Sequence, residues 1–256
     1  SILKGRQMQI GALFQDRSFQ AGGFYWTPDT EEITVALFGL FEREIFGFTL
    51  QFSSRLEYLS VIPDIQYKPA NLESSQLIER NFELISTGMG IFRTWKNWDF
   101  SFGTMITGRS PGIEDLYSDG PHLGVYSYEI GKPTLDAERT VGIETSLEHN
   151  TDKCQIRVTG FQNFSPNYHI SSKVGDCPEA INWDPSLGVS HPCSGSDFIE
   201  WGSGSSGWLY KYQMDGYRVS IYGLESEIEY KLTNSINLFG GISTIRGHNL
   251  SSNTPL

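Results

Sequence analysis

Apolar and polar side chains alternate along most of this chain, and the clearest example begins at Trp98. Trp98, Phe100, Phe102, Thr104 and Ile106 fall on one side, with Asp99, Ser101, Gly103, Thr107 and Arg109 on the other and Met105 as the exception. Forty residues on, Val141, Ile143, Thr145 and Leu147 alternate with Thr140, Glu144, Ser146 and Glu148. Successive side chains of a strand point to opposite faces, so each segment predicts a strand with one greasy and one hydrophilic side. Residues 46–58 repeat the pattern, with Phe46, Phe48, Leu50, Phe52, Leu56 and Tyr58 against Gly47, Thr49, Gln51, Ser53, Arg55 and Glu57.

The predicted strands pair off across very short polar reversals. Residues 30–43 meet 46–58, 82–93 meet 98–108, 137–149 meet 153–168, and 217–231 meet 235–246. Tight reversals of this kind join hairpins. The other connections, 15–29, 60–80, 110–136 and 170 to about 206, are long, and they alternate strictly with the short ones. Short turns at one end, long loops at the other and strands of twelve residues or more predict an antiparallel transmembrane β-barrel of the outer-membrane kind. Trp26, Trp95, Trp98, Tyr58, Tyr217 and Tyr230 lie near strand ends, where interfacial aromatic girdles sit. The apolar phase slips between Val219 and Leu224, which predicts a β-bulge near Gly223. Past the slip Glu225, Glu227 and Glu229 share a face. A row of carboxylates is costly against lipid, so these three, with Glu144 and Glu148, are expected to face a watery lumen.

Composition agrees with strands that are greasy on one side only: 38 % hydrophobic, 13 % aromatic and 27 glycines in 256 residues. A net charge of −11 leaves no basic patch for phosphates and argues against nucleic acid as a partner. No apolar run approaches the ~20 residues of a membrane helix, which leaves barrel strands open. Cys177 and Cys193 bracket a polar, proline-rich loop and are expected to close it as a disulfide, with Cys154 a small apolar residue at a strand start. The sequence carries no nucleophile elbow, and G-S-G-S-S-G at 202–207 lacks the lysine and helix of a phosphate cradle. No catalytic set is apparent, and the chain is expected not to be an enzyme.

Residues 109–139 carry a resemblance. Arg109-Ser110-Pro111, Glu114-Asp115-Leu116-Tyr117, Gly120-Pro121-His122, the run from Tyr128-Glu129-Ile130-Gly131-Lys132 to Leu135, and Glu138-Arg139 leading to Glu144 resemble, in order and spacing, the barrel of TonB-dependent outer-membrane receptors. Lys132 stands where the family usually has Asn, and Asp115 where it has Glu. The Gly-Pro-His and Tyr-Glu-Ile-Gly steps are most similar to a zinc-uptake subgroup. The resemblance implies a barrel of 22 strands filled by an N-terminal plug, located in the Gram-negative outer membrane and energised through the inner-membrane TonB complex. Roughly nine to ten long hairpin-connected strands are visible, so residues 1–256 are expected to be a fragment of that barrel, lacking plug and terminal strands. The implied role is capture of a scarce nutrient (a divalent metal such as zinc, a metal–siderophore chelate or haem) on extracellular loops, with no cofactor of its own. Smaller outer-membrane barrels, porin-like or adhesin-like and without TonB coupling, are the alternative.

Ligand contacts are expected from His122, Asp119, Glu114 and Tyr117, with Asp115 nearby. His122 is the metal candidate, since imidazole beside carboxylates suits a divalent ion; a solvated loop histidine is the competing reading. His169 and His191, with Asp176, Asp184 and Asp197, form a second and weaker set.

Overall fold

The computed structural model describes residues 6–20, 26–69, 72–201 and 207–256. Residues 202–206 of the glycine–serine run lie outside them. Among the described residues thirteen strands form one sheet. The long ones are β1 (Arg6–Phe19), β2 (Thr30–Ile45), β3 (Phe48–Pro63), β4 (Arg80–Trp95) and β5 (Trp98–Arg109). After the short helix α1 (Ile113–Tyr117), β6 (Asp119–His122) and β7 (Ser127–Ile130) make a small hairpin. Then come β8 (Glu138–Asn150), β9 (Cys154–Lys173), β10 (Ile199–Trp201), β11 (Trp208–Thr233), β12 (Ile236–Asn249) and β13 (Thr254–Pro255). The order is β1-β2-β3-β4-β5-β8-β9-β11-β12-β13, each long strand antiparallel to its neighbour in sequence. This is the antiparallel barrel-wall architecture that the alternation predicted.

Register turns the alternation of single strands into two continuous faces, because residues directly opposite each other share a face. Leu37 sits opposite Leu56, Leu56 opposite Ile85, Ile106 opposite Val141, Leu147 opposite Val158, Ile156 opposite Ile228 and Tyr230 opposite Leu238. This apolar face is bare: Leu37 is 59 % exposed, Ile85 61 % and Ile143 47 %. Trp95 and Trp98 belong to it beside a short turn, their rings 6.4 Å apart. On the other face Asp99 opposes Glu148, Glu148 opposes Arg157 and Arg157 opposes Glu227. Glu144, Glu225 and Glu229 share that face by parity. Arg157 Nε donates to Glu148 Oε2 at 2.7 Å, and Gln155 to the same carboxylate at 2.7 Å.

The strands run further toward the long connections than the alternation marks. The β2–β3 turn is two residues, Phe46 and Gly47, both at positive φ (52° and 76°), the geometry whose twist matches a hairpin. Beyond the strand middles, the polar face stops being polar. Leu59 and Val61 of β3 and Phe82 and Leu84 of β4 are covered by Leu72 and Leu77 from the β3–β4 connection and by Ile113, Leu116, Tyr117 and Leu135 from the β5–β8 connection. The long connections therefore fold onto the polar face at one end and build a small dry core there.

The expected bulge lies elsewhere. No register shift occurs near Gly223: β11 pairs with β9 without interruption from Val219 to Tyr230. The shift lies at Arg218, which faces two residues of β9, Pro166 and Asn167. Proline lacks the N–H a ladder needs, so it sits at the bulge. Val219 and Ile221 share the face of Glu225; they are apolar because this end of the face is dry, Val219 being buried.

Candidate functional site

The β5–β8 connection is a folded strap. Its first part is α1, whose opening turn is held by Gly112 N–H donating to Asp115 Oδ2 at 2.9 Å. Asp115 is thus a capping residue. The strap then reverses through β6 and β7, and β7 pairs in parallel with β11, Tyr128–Ile130 against Lys211–Gln213. It is tied down at several points. Gly131 N–H donates to Ser118 O at 2.7 Å and Lys132 N–H to Asp115 O at 2.8 Å. Lys132 Nζ reaches Asp215 at 2.6 Å, and the Arg80 guanidinium donates to the carbonyls of Pro133 and Leu135. At its end Arg109 pairs with Glu138 at 2.9 Å.

His122 stands at the tip of this hairpin, partly exposed. Its Nδ1 lies 2.9 Å from Glu129 Oε1, which also accepts from Ser127 Oγ at 3.1 Å. A carboxylate only accepts, so the hydrogen is on Nδ1 and the neutral ring keeps its lone pair on Nε2. A carboxylate behind a histidine in this way orients many metal-binding imidazoles. The ring stacks on Trp26 with centroids 4.4 Å apart, and Trp26 O accepts the N–H of Asp119. Trp26 accordingly braces the histidine rather than an interface girdle.

Asp119 lies at the base of the hairpin. Tyr128 Oη donates to it at 2.9 Å. Burial raises its carboxyl above the usual aspartate range; the Tyr128 hydrogen bond and Lys211 oppose that shift, and Glu200 adds to it. Lys211 of β11 is itself 3.3 Å from Glu200 of β10, an ion pair within that hairpin.

The expected contact set is only partly assembled. Tyr117 is fully buried and its hydroxyl donates to Ile78 O at 2.7 Å, so it is a core residue and not a ligand contact. Glu114 is on α1, and no group of three donors forms among His122, Asp119 and Glu114. Among the described residues, the metal-ligand atoms that gather as a trio within 4.8 Å are those of Cys177, His191 and Cys193. The two cysteines are joined as a disulfide, with Cα atoms 6.1 Å apart, and Cys154 is free. His169 is buried against Asp136, its Nε2 2.8 Å from that carbonyl, away from any ligand set. Reading the sequence missed Glu129 and Trp26 as partners of His122. Glu129 is seven positions away and becomes a neighbour only through the hairpin register; Trp26 comes from another connection altogether.

A family model described as TonB dependent receptor-like, beta-barrel, matches residues 6–255. The chain belongs to this family. Solved structures share the fold: a copper transporter, OprC, at 17 % identity (TM-score 0.63, 89 % of this chain, 31 % of that one). The FrpB iron transporter from Neisseria meningitidis is similar in its F5-1 variant at 12 % identity (TM-score 0.62, 97 % and 35 %). Its F3-3 variant is similar at 10 % (TM-score 0.61, 97 % and 34 %). The chain spans about a third of the length of these receptor structures.

Proposed function

We propose that this chain is part of the wall and mouth of an outer-membrane receptor that captures a scarce nutrient and passes it inward with energy from the inner-membrane TonB complex. One observation carries the reading: a sheet whose bare apolar face is continuous across its long strands, and whose opposite face is charged along its length but capped by folded connections at one end. The apolar face meets outer-membrane lipid. Glu144, Glu148, Glu225, Glu227 and Glu229 face the lumen, and the folded connections line the external mouth. A plug, the segment that engages TonB and further strands belong to sequence outside these 256 residues. The similar copper and iron transporters are in keeping with cargo that is a metal or a metal chelate, such as zinc, an iron–siderophore or haem.

His122 is the residue assigned to the cargo, through Nε2, oriented by Glu129 and Trp26, with Asp119 and Glu114 as the acidic residues of the same strap. The test is calorimetric titration of the full-length receptor with zinc, native and His122→Ala. The expected result is binding by the native receptor that weakens at least tenfold in the variant. Equal zinc affinity in the two proteins removes His122 from the site.

A further inference from the structure

The apolar face changes character toward the long connections. Register places Val141, Phe164, Ser220 and His248 in one row across β8, β9, β11 and β12. Ile143, Gln162, Tyr222 and Arg246 form the next row toward the short turns. A third row, on the side of the long connections, holds Arg139 and Arg218. Arg218 faces Pro166 at the bulge, and Arg139 stands two residues beyond Val141, its carbonyl accepting from Ser165 Oγ at 2.8 Å. All three arginines are exposed, and none is ion-paired among the described residues. Closer to the short turns this face is uncharged. Its positions from Ile143 to His149, Ile156 to Gly160, Leu224 to Tyr230 and Leu238 to Thr244 include no Asp, Glu, Lys or Arg.

The basic patch is local. Over β1 to β4, the same face at the same end carries Asp16, Glu31 and Glu83, opposite Ile33, Ile62 and Tyr58. The chain as a whole has a net charge of −11. Neighbouring strands lie about 4.8 Å apart, so the backbones of Arg139 and Arg218, two strands apart, are separated by roughly 10 Å. Two extended side chains from those positions reach one anion from both sides. Leu250 N–H donates to Arg218 O at 2.7 Å, which puts Arg246 four residues below that level on β12, about 14 Å along the strand. There His248 adjoins it, stacked on Tyr222 with centroids 6.4 Å apart. A guanidinium meets phosphate through a planar fork of N–H donors. On a lipid-facing barrel surface arginine costs least at the interface, its head among the headgroups and its stem along apolar surface.

We propose that Arg139, Arg218 and Arg246 form a binding surface for a glycolipid of the external leaflet that carries two phosphates on its sugar headgroup. Arg139 and Arg218 hold one phosphate between them, and Arg246 beside His248 holds the other. The acyl chains lie along the uncharged part of the face, over Phe164, Tyr222 and Leu224, all of them exposed. Charge complementarity selects this occupant: three unpaired guanidinium groups at two levels stand at the edge of a surface that is otherwise apolar. The surface rests on the proposed placement of the apolar face in lipid and of the long connections outside. It lies on the opposite side of the wall from His122, and zinc capture does not depend on it.

The test titrates the full-length receptor in detergent with bisphosphorylated lipid A or with phosphatidylglycerol, read by native mass spectrometry. Bisphosphorylated lipid A is expected to bind about tenfold more tightly than phosphatidylglycerol, and the triple variant Arg139→Gln, Arg218→Gln, Arg246→Gln to lose about tenfold or more of that affinity. The three side chains are exposed, so the variant keeps the fold. Arg43→Gln, on the same face beside a short turn and opposite Leu50, should change the affinity less than twofold. Equal affinity in the native and triple-variant receptors overturns the proposal. So does phosphatidylglycerol bound as tightly as lipid A, or displacement of lipid A by inorganic phosphate, which marks a plain anion site. A nitroxide at Leu224, in receptor carrying Cys154→Ser and reconstituted in vesicles, separates the two possible failures. A label open to oxygen and shielded from a nickel chelate, with lipid affinity unchanged in the triple variant, refutes the surface and leaves the lipid-facing wall standing. A label open to the chelate refutes the wall, and the surface with it.

Discussion

Gly131→Ala asks whether the strap is docked as a unit. A Cβ built at Gly131 falls 2.7 Å from Leu116 C, 2.8 Å from Leu116 O and 2.8 Å from Ser118 N. All three are backbone atoms, so none can swing aside as a side-chain tip would. Room for the methyl must come from pulling the Gly131–Lys132 segment off α1. That strains the 2.7 Å bond from Gly131 N–H to Ser118 O and the 2.8 Å bond from Lys132 N–H to Asp115 O. Two hydrogen bonds are worth about 0.5–1.5 kcal/mol each, and overpacking costs about 1–3 kcal/mol. The expected local destabilisation is about 2–4 kcal/mol, or roughly thirty-fold to a thousand-fold more frequent opening. Hydrogen exchange of the full-length receptor in detergent reads this directly, at the amides of Leu116, Ser118, Gly131 and Lys132. Gly39→Ala is the control: its Cβ meets only Gln9 O, at 3.5 Å, and should change protection by less than about 0.5 kcal/mol. Protection of the strap that survives Gly131→Ala unchanged would refute the docking described here.

Two further outcomes follow from the same strap. Tyr117→Phe removes the donor to Ile78 O, so strap stability should fall by the net worth of one hydrogen bond, about 0.5–1.5 kcal/mol, read by the same exchange. Zinc affinity should stay within a factor of two; a tenfold loss with the strap intact would return the hydroxyl to the ligand site. Asp119, raised chiefly by burial, holds its proton more tightly in the folded hairpin than in the open chain. Its contribution is therefore complete below the ordinary aspartate range, about pH 4. It is lost as pH rises from there through the raised value. Hairpin amides corrected for intrinsic exchange should be better protected at the acid end of that window, and Asp119→Asn should remove the trend. An unchanged trend in the variant places its origin elsewhere.

The parts legible in the sequence were those governed by neighbours one or two positions apart. Alternation at Trp98–Ile106 and Val141–Leu147 fixed which residues share a face, and the polar dipeptides between strands fixed which ends are tight. The mouth was not legible in this way. Leu59, Leu77, Leu116 and Leu135 lie in four different segments and meet only because two long connections fold inward, so none carries a periodic signature. Val219, which is buried, and Ile221 are apolar on an otherwise polar face, which imitates a bulge. The real bulge was marked by Pro166, a residue whose missing N–H is itself a local signal. Tyr117 belonged to a motif that looked like a ligand turn, yet its neighbours place it in the core; His122, four residues beyond the α1 cap at Ser118, took the partly exposed position instead.

Adjacent positions in the middle of β8 decide which face of the wall meets lipid. Nitroxide labels on single cysteines at Ile143 and Glu144, in the full-length receptor carrying Cys154→Ser and reconstituted in vesicles, report collisions with oxygen and with a polar nickel chelate. The label at 143 should be accessible to oxygen and shielded from nickel, and the label at 144 should show the opposite. Lipid contact at 144, or two labels equally exposed to the chelate, would contradict a wall with lipid on one side and a watery lumen on the other.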